Sequence, residues 1–114
     1  MTEKVNDLRS ALALLKNMPG QLIETDVEVE PEAELSGVYR HVGAWGTVQR
    51  PTKEGPAMIF QNVKGHPGAR VAIGVLASRK RVAALLGTKP ENLRKMLYES
   101  VDHPVAPVLS KKPV

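Results

Sequence analysis

Residues 56–87, PAMIFQNVKGHPGARVAIGVLASRKRVAALLG, restrict the fold more than any other stretch of the chain. Ala57 to Val63 and Arg70 to Leu76 are short runs rich in Val, Ile and Phe. Gly65, Pro67 and Gly68 lie between them, which predicts two neighbouring strands joined by a loop longer than a minimal hairpin turn. Val71 to Leu76 contains no polar side chain, so the expectation is a strand covered on both faces. Ser78 then offers a side-chain oxygen to the first amides of a helix, and Gly87 offers the backbone freedom for its left-handed stop. The rest of the chain must pack on this strand, turn, strand, helix unit.

The flanking segments supply the other layers. Val5, Leu8, Leu12 and Leu15 recur at three- and four-residue intervals, which predicts an amphipathic helix over 6–16 with Asn6 as its N-cap. Pro19-Gly20 ends it, and a strand is expected from Gln21 to Val27. Pro31 suits the first turn of a second helix, whose buried stripe is Leu35, Val38, Tyr39 and Val42. Gly43 to Gly46 closes that helix and opens a surface loop running to Pro56. The helix over 78–86 is expected to bury Val82, Leu85 and Leu86. A last helix from Pro90 is expected to bury Leu93, Met96, Leu97 and Val101. The result is an α+β domain over residues 1–102, with a small mixed or antiparallel sheet of about three strands and about four short helices. Residues 103–114 carry three prolines and read as an extended linker.

Composition narrows the chemistry. The 114 residues contain no cysteine, which excludes a disulfide framework and a thiolate zinc site. His41, His66 and His103 lie far apart and lack metal-ligand spacing. No apolar run approaches the length of a membrane span, and MTEKVNDLRS lacks the apolar core of a signal peptide, so a cytoplasmic location is expected. The net charge of +4 is uneven: residues 1–34 carry −5 and residues 35–114 carry +9. Such a basic pole can face nucleic acid, a membrane or an acidic protein. With only Tyr39, Trp45, Phe60 and Tyr98 as aromatics, the stacking that holds single strands is missing, which argues against a nucleic-acid partner.

Four features invite a functional reading, and each has a plainer one. Glu24, Asp26, Glu28, Glu30, Glu32 and Glu34 alternate, and the first three would share one strand face. A row of carboxylates can bind a hard cation or do acid/base work. A solvated strand face running into a helix start explains it more simply. His41, beside the stripe of the second helix, fits a partly buried, hydrogen-bonded residue better than a catalytic one. Arg79-Lys80-Arg81 opposes the dipole of the helix it opens, so either an anion or acidic neighbour sits there or solvent screens the charges. Trp45 marks an interface if exposed and a lid on the core if folded back. A free-standing module that binds an acidic partner through the basic pole and Trp45 is therefore one functional alternative.

Several separated blocks resemble a known family. Asn6-Asp-Leu-Arg-Ser10, Ile23-Glu-Thr-Asp26 leading to Glu30-Pro-Glu-Ala-Glu-Leu35, Pro56 to Gly65, and Ala77 to Gly87 are similar in order and spacing to the opening of UbiD-type decarboxylases. The continuation to His103-Pro-Val-Ala-Pro107 is similar as well. Within the family the likeness is to enzymes acting on hydroxylated benzoates such as protocatechuate or vanillate. The resemblance implies a reversible, non-oxidative carboxy-lyase that uses prenylated FMN as electron sink, with a divalent metal (Mn) and K near its phosphate. It implies a glutamate–arginine–glutamate network that positions the carboxylate and handles the proton. Those residues lie in the family sequence that follows this region, so no catalytic, cofactor-binding or metal residue is carried over, and none of these groups is expected on this chain alone. The expected partners are the flavin-binding remainder of the decarboxylase and a homo-oligomeric copy. Two positions depart from the family pattern: Glu30 stands where Asp often precedes the proline, and Trp45 interrupts a Gly/Ala segment.

Overall fold

The computed structural model describes residues 4–44 and 54–113. In chain order the elements are α1 (Leu8–Lys16), β1 (Leu22–Thr25), α2 (Glu34–Ala44), β2 (Ala57–Phe60), β3 (Val71–Ile73), α3 (Arg79–Leu85), a 3-10 turn (Pro90–Asn92) and α4 (Leu93–Asp102). The α+β class, the three strands and the four helices are as the sequence predicts. The sheet is mixed: β1 runs parallel to β2, and β2 antiparallel to β3. Leu22 faces Ala57 and Thr25 faces Phe60, while Phe60 faces Val71.

The order β1-β2-β3 puts β2 in the centre, and its four residues are all buried. Alternation then divides them between two layers. Met58 and Phe60 join Val29, Leu35 and Val63 in the main core, with Val38, Tyr39 and Val42 of α2 packed against it. Ile59 points to the other face, where it lines a groove together with Leu8 and Leu12 of α1. Leu15 of α1 and Ala83 of α3 are fully buried.

Two expectations about strands are corrected here. β3 ends at Ile73 and is only half-buried, and Leu76 is 71% exposed. The strand covered on both faces is β2, because β3 lies at the sheet edge and Gly74, at φ +75°, turns the chain away. β1 stops at Thr25 rather than Val27, so the alternating carboxylates do not share one strand face.

Helix boundaries moved for local reasons. The cap of α1 is Asp7, not Asn6: its carboxylate accepts from the Ser10 amide at 2.7 Å, and the Ser10 hydroxyl oxygen accepts from the Asp7 amide at 3.1 Å. This reciprocal pair satisfies two otherwise orphaned donors. α2 starts at Glu34 instead of near Pro31, because Ala33 takes a left-handed φ of 62°. Glu34 reaches back so that its carboxylate accepts from the Glu30 amide at 2.6 Å. Ser78 caps α3 and Gly87, at φ +69°, ends it, both as expected.

Candidate functional site

The three cations at the start of α3 separate into different roles. Arg79 and Lys80 are exposed, whereas Arg81 is 1% exposed. Its guanidinium donates to the carbonyl oxygens of Gly55 at 2.7 Å, Gly74 at 2.9 Å and Val75 at 3.3 Å, and to the Gln21 side-chain oxygen at 3.2 Å. One side chain thereby ties the entry of β1, the entry of β2 and the exit of β3 to α3. The planar fork of five donors is what allows this. Burial lowers the Arg81 pKa, opposed by the nearby Tyr39 and Glu54. Arginine still carries its charge at neutral pH. Of the two readings of this basic helix start, solvent screening fits the exposed Arg79 and Lys80, while Arg81 has an acidic neighbour of the chain's own in Glu54, which accepts from the Ser78 hydroxyl at 2.9 Å.

Tyr39 lies against the same node. It sits between Gly43 and Gly74, where a Cβ on either glycine would collide with its ring. α2 therefore seats on the turn whose carbonyl Arg81 holds.

The other candidates are placed plainly. Glu24 pairs with Lys16 at 3.6 Å and accepts from Gln61 at 3.2 Å, and Glu30 pairs with Lys64 at 2.5 Å. Among the described residues no group of three or more His, Asp or Glu could hold a metal. His41 is exposed rather than partly buried, and His66 and His103 are also at the surface. Trp45 and the Gly43–Gly46 segment beyond Ala44 lie outside the described residues. Among the described residues no helix is long and apolar enough to cross a membrane.

The apolar faces of α3 and α4 differ most from expectation. Leu86 is 44% exposed, past the end of α3. On α4, Leu93 is buried and Met96 half-buried, but Leu97 is 57% and Val101 78% exposed. Only the first turn of α4 has something to rest on; the rest of the helix projects past it. Tyr98, 63% exposed, carries the Arg94 guanidinium over its ring at 5.7 Å. Sequence periodicity flags this stripe as buried because it reports apolarity, and not what lies opposite.

Residues 13–101 match the family model of the 3-octaprenyl-4-hydroxybenzoate carboxy-lyase N-terminal domain. The chain is a member of the UbiD N-terminal domain family. Gallate decarboxylase of Lactiplantibacillus plantarum is 55% identical over 107 residues, 94% of this chain and 22% of the enzyme. The apo structure of 3,4-dihydroxybenzoic acid decarboxylase from Enterobacter cloacae superposes with a TM-score of 0.82 at 58% identity, covering 92% of this chain and 22% of that one. Vanillic acid decarboxylase of Sedimentibacter hydroxybenzoicus, in its open form, gives 0.62 at 30% identity, covering 88% and 19%. This UbiD N-terminal domain thus spans about a fifth of the length of the relatives it matches.

Proposed function

We propose that this chain is the N-terminal scaffold portion of a non-oxidative hydroxybenzoate decarboxylase whose chemistry uses prenylated FMN. The observation that carries the reading is the similarity to gallate and 3,4-dihydroxybenzoic acid decarboxylases over more than nine-tenths of the chain. The substrate class is a benzoate bearing ring hydroxyls, and the partner is the flavin-binding remainder of the enzyme.

The described residues do not fit the flavin or its metals. A flavin site needs a phosphate clamp and converging acid/base groups. Here Glu24 and Glu30 are tied up in separate surface pairs, the histidines are apart, and the one fully buried cation among the described residues already holds three backbone carbonyls and a glutamine. The interior is filled by the domain's own core. What this segment offers the reaction is a rigid support, braced by Arg81.

The test is a chimera in which this chain replaces the corresponding region of the Lactiplantibacillus plantarum gallate decarboxylase. The chimera, loaded with prenylated FMN, is expected to release CO2 from a hydroxybenzoate, and the 114-residue chain alone is not. A folded but inactive chimera, or turnover by the chain alone, overturns the reading.

A further inference from the structure

The outer face of α4 has no counterpart within the described residues. Leu93, Leu97 and Val101 follow one another at four-residue intervals, so they form a stripe along one side of the helix. With Tyr98, Arg79 and Arg94 they line a groove of about 560 Å³. Only Leu93 is buried. An apolar strip of this kind on a small domain marks a surface made to be covered. Its two arginines flank it, and neither has an ion-pair partner among the described residues. The Arg94 guanidinium, held over Tyr98, is already in place at the rim.

What covers the strip follows from chain order and length. The family model is that of an N-terminal domain, and the three relatives described above are about five times as long as the region they share with this chain. Their remaining polypeptide therefore follows this region. α4 is the last regular element, and residues 103–113 beyond it are exposed. Fully extended, those eleven residues reach at most about 40 Å. Whatever follows them is held within one domain diameter of α4.

We infer that the Leu97–Val101 face of α4, between Arg79 and Arg94, is the seat of the carboxyl-terminal portion of the decarboxylase, and that it receives an apolar surface rimmed by carboxylates. The inference rests on the scaffold reading above and adds to it the place of contact. A second copy of this chain is the competing occupant. It is tested in the same experiment.

Amide exchange over 93–101 is compared in the 114-residue chain and in the gallate decarboxylase chimera. Exchange at 97–101 is expected to slow at least roughly tenfold in the chimera, as buried helix amides do. The double substitution Leu97→Asp, Val101→Asp should return it to the rate of the isolated chain and lower the chimera's Tm by several degrees. Equal exchange in the two proteins overturns the inference. So does an isolated chain that sediments as a dimer with 97–101 already protected, which assigns the face to a second copy. An active chimera with an unprotected α4 removes the seat and keeps the scaffold reading; an inactive one with a protected α4 does the reverse. If the chimera does not accumulate, aspartates at the aligned positions of the gallate decarboxylase itself decide. A lowered Tm supports the seat, and an unchanged one overturns it.

Discussion

α2 and α4 carry nearly the same instruction and meet different fates. Each has apolar residues at helical spacing, Leu35, Val38, Tyr39 and Val42 on one and Leu93, Met96, Leu97 and Val101 on the other. The α2 stripe lies on Met58 and Phe60 of the central strand, and Leu35 is 7% exposed. On the α4 stripe Leu93 is buried and Met96 half-buried, but Leu97 is 57% and Val101 78% exposed. The difference lies in what the chain places opposite. β1 and β2 flank α2 in sequence and pair in parallel, so the intervening helix returns across their sheet. α4 follows β3 by way of α3, and among the described residues no further strand offers it a surface. An amphipathic helix is thus a statement of need, and only one of these two has the need met within the domain.

The comparison can be broken by substitution. The largest effect is expected at Arg81, on which the footing of α2 depends. Arg81→Met leaves the Gly55 and Val75 carbonyls without this donor and the Gly74 carbonyl with the Ala77 amide alone, and hydrogen bonds to a charged group are worth about 1.5–3 kcal/mol each. A loss of about 3–5 kcal/mol in urea unfolding is expected, since some carbonyls will find water. A loss below about 1 kcal/mol would mean that the node is not what holds the strands.

Next comes the α2 stripe itself. Leu35→Ala should cost about 2–4 kcal/mol through lost burial and the cavity left behind. Gly74→Ala should cost about 2 kcal/mol, because a left-handed φ and the Tyr39 ring both oppose a Cβ there. If Tyr39→Ala in the same chain removes part of that penalty, the ring contact rather than the backbone is responsible, and the two effects will be non-additive.

Asp7 provides a pH-dependent control away from both stripes. Hydrogen bonds from the Ser10 amide and then the Ser10 hydroxyl hold its carboxyl below the ordinary aspartate value. A folded pKa below the unfolded one gives stability that is complete above the unfolded value and is lost as pH falls through the folded one. Asp7→Ala should therefore lower Tm at neutral pH and show a shrinking difference in strong acid. A difference that persists unchanged in acid would assign the cap to something other than the carboxylate.

The smallest effect is expected where the sequence alone predicts a large one. Leu97→Asp in the 114-residue chain should change stability by no more than about 0.5 kcal/mol, as for an exposed site. A loss as large as that of Leu35→Ala would show that α4 is already covered in the isolated domain.

Local signals that need only nearby residues read through to the structure. Ser78 and Gly87 bracket α3, Pro19-Gly20 separates α1 from β1, and the runs around Met58 and Val71 pair as neighbours. The family blocks were legible for the same reason, since their order and spacing lie in the sequence. Signals that depend on a distant partner did not read through. The apolar purity of Val71 to Leu76 pointed to the central strand, yet an apolar run cannot say which of its edges is paired. In sequence Arg81 is indistinguishable from its neighbours Arg79 and Lys80. Its three carbonyl partners come from two other segments, and only their convergence makes a buried guanidinium stable.

The sequence by itself determined the class of fold, the helix and turn punctuation, and the family, because each is written in residue type and local spacing. The tertiary structure alone decided which strand is central, which of three adjacent cations turns inward, and which of two similar helices keeps its apolar face open. Those outcomes depend on long-range pairing, where one-residue and one-helix choices share the same local pattern and differ only in what is brought to face them.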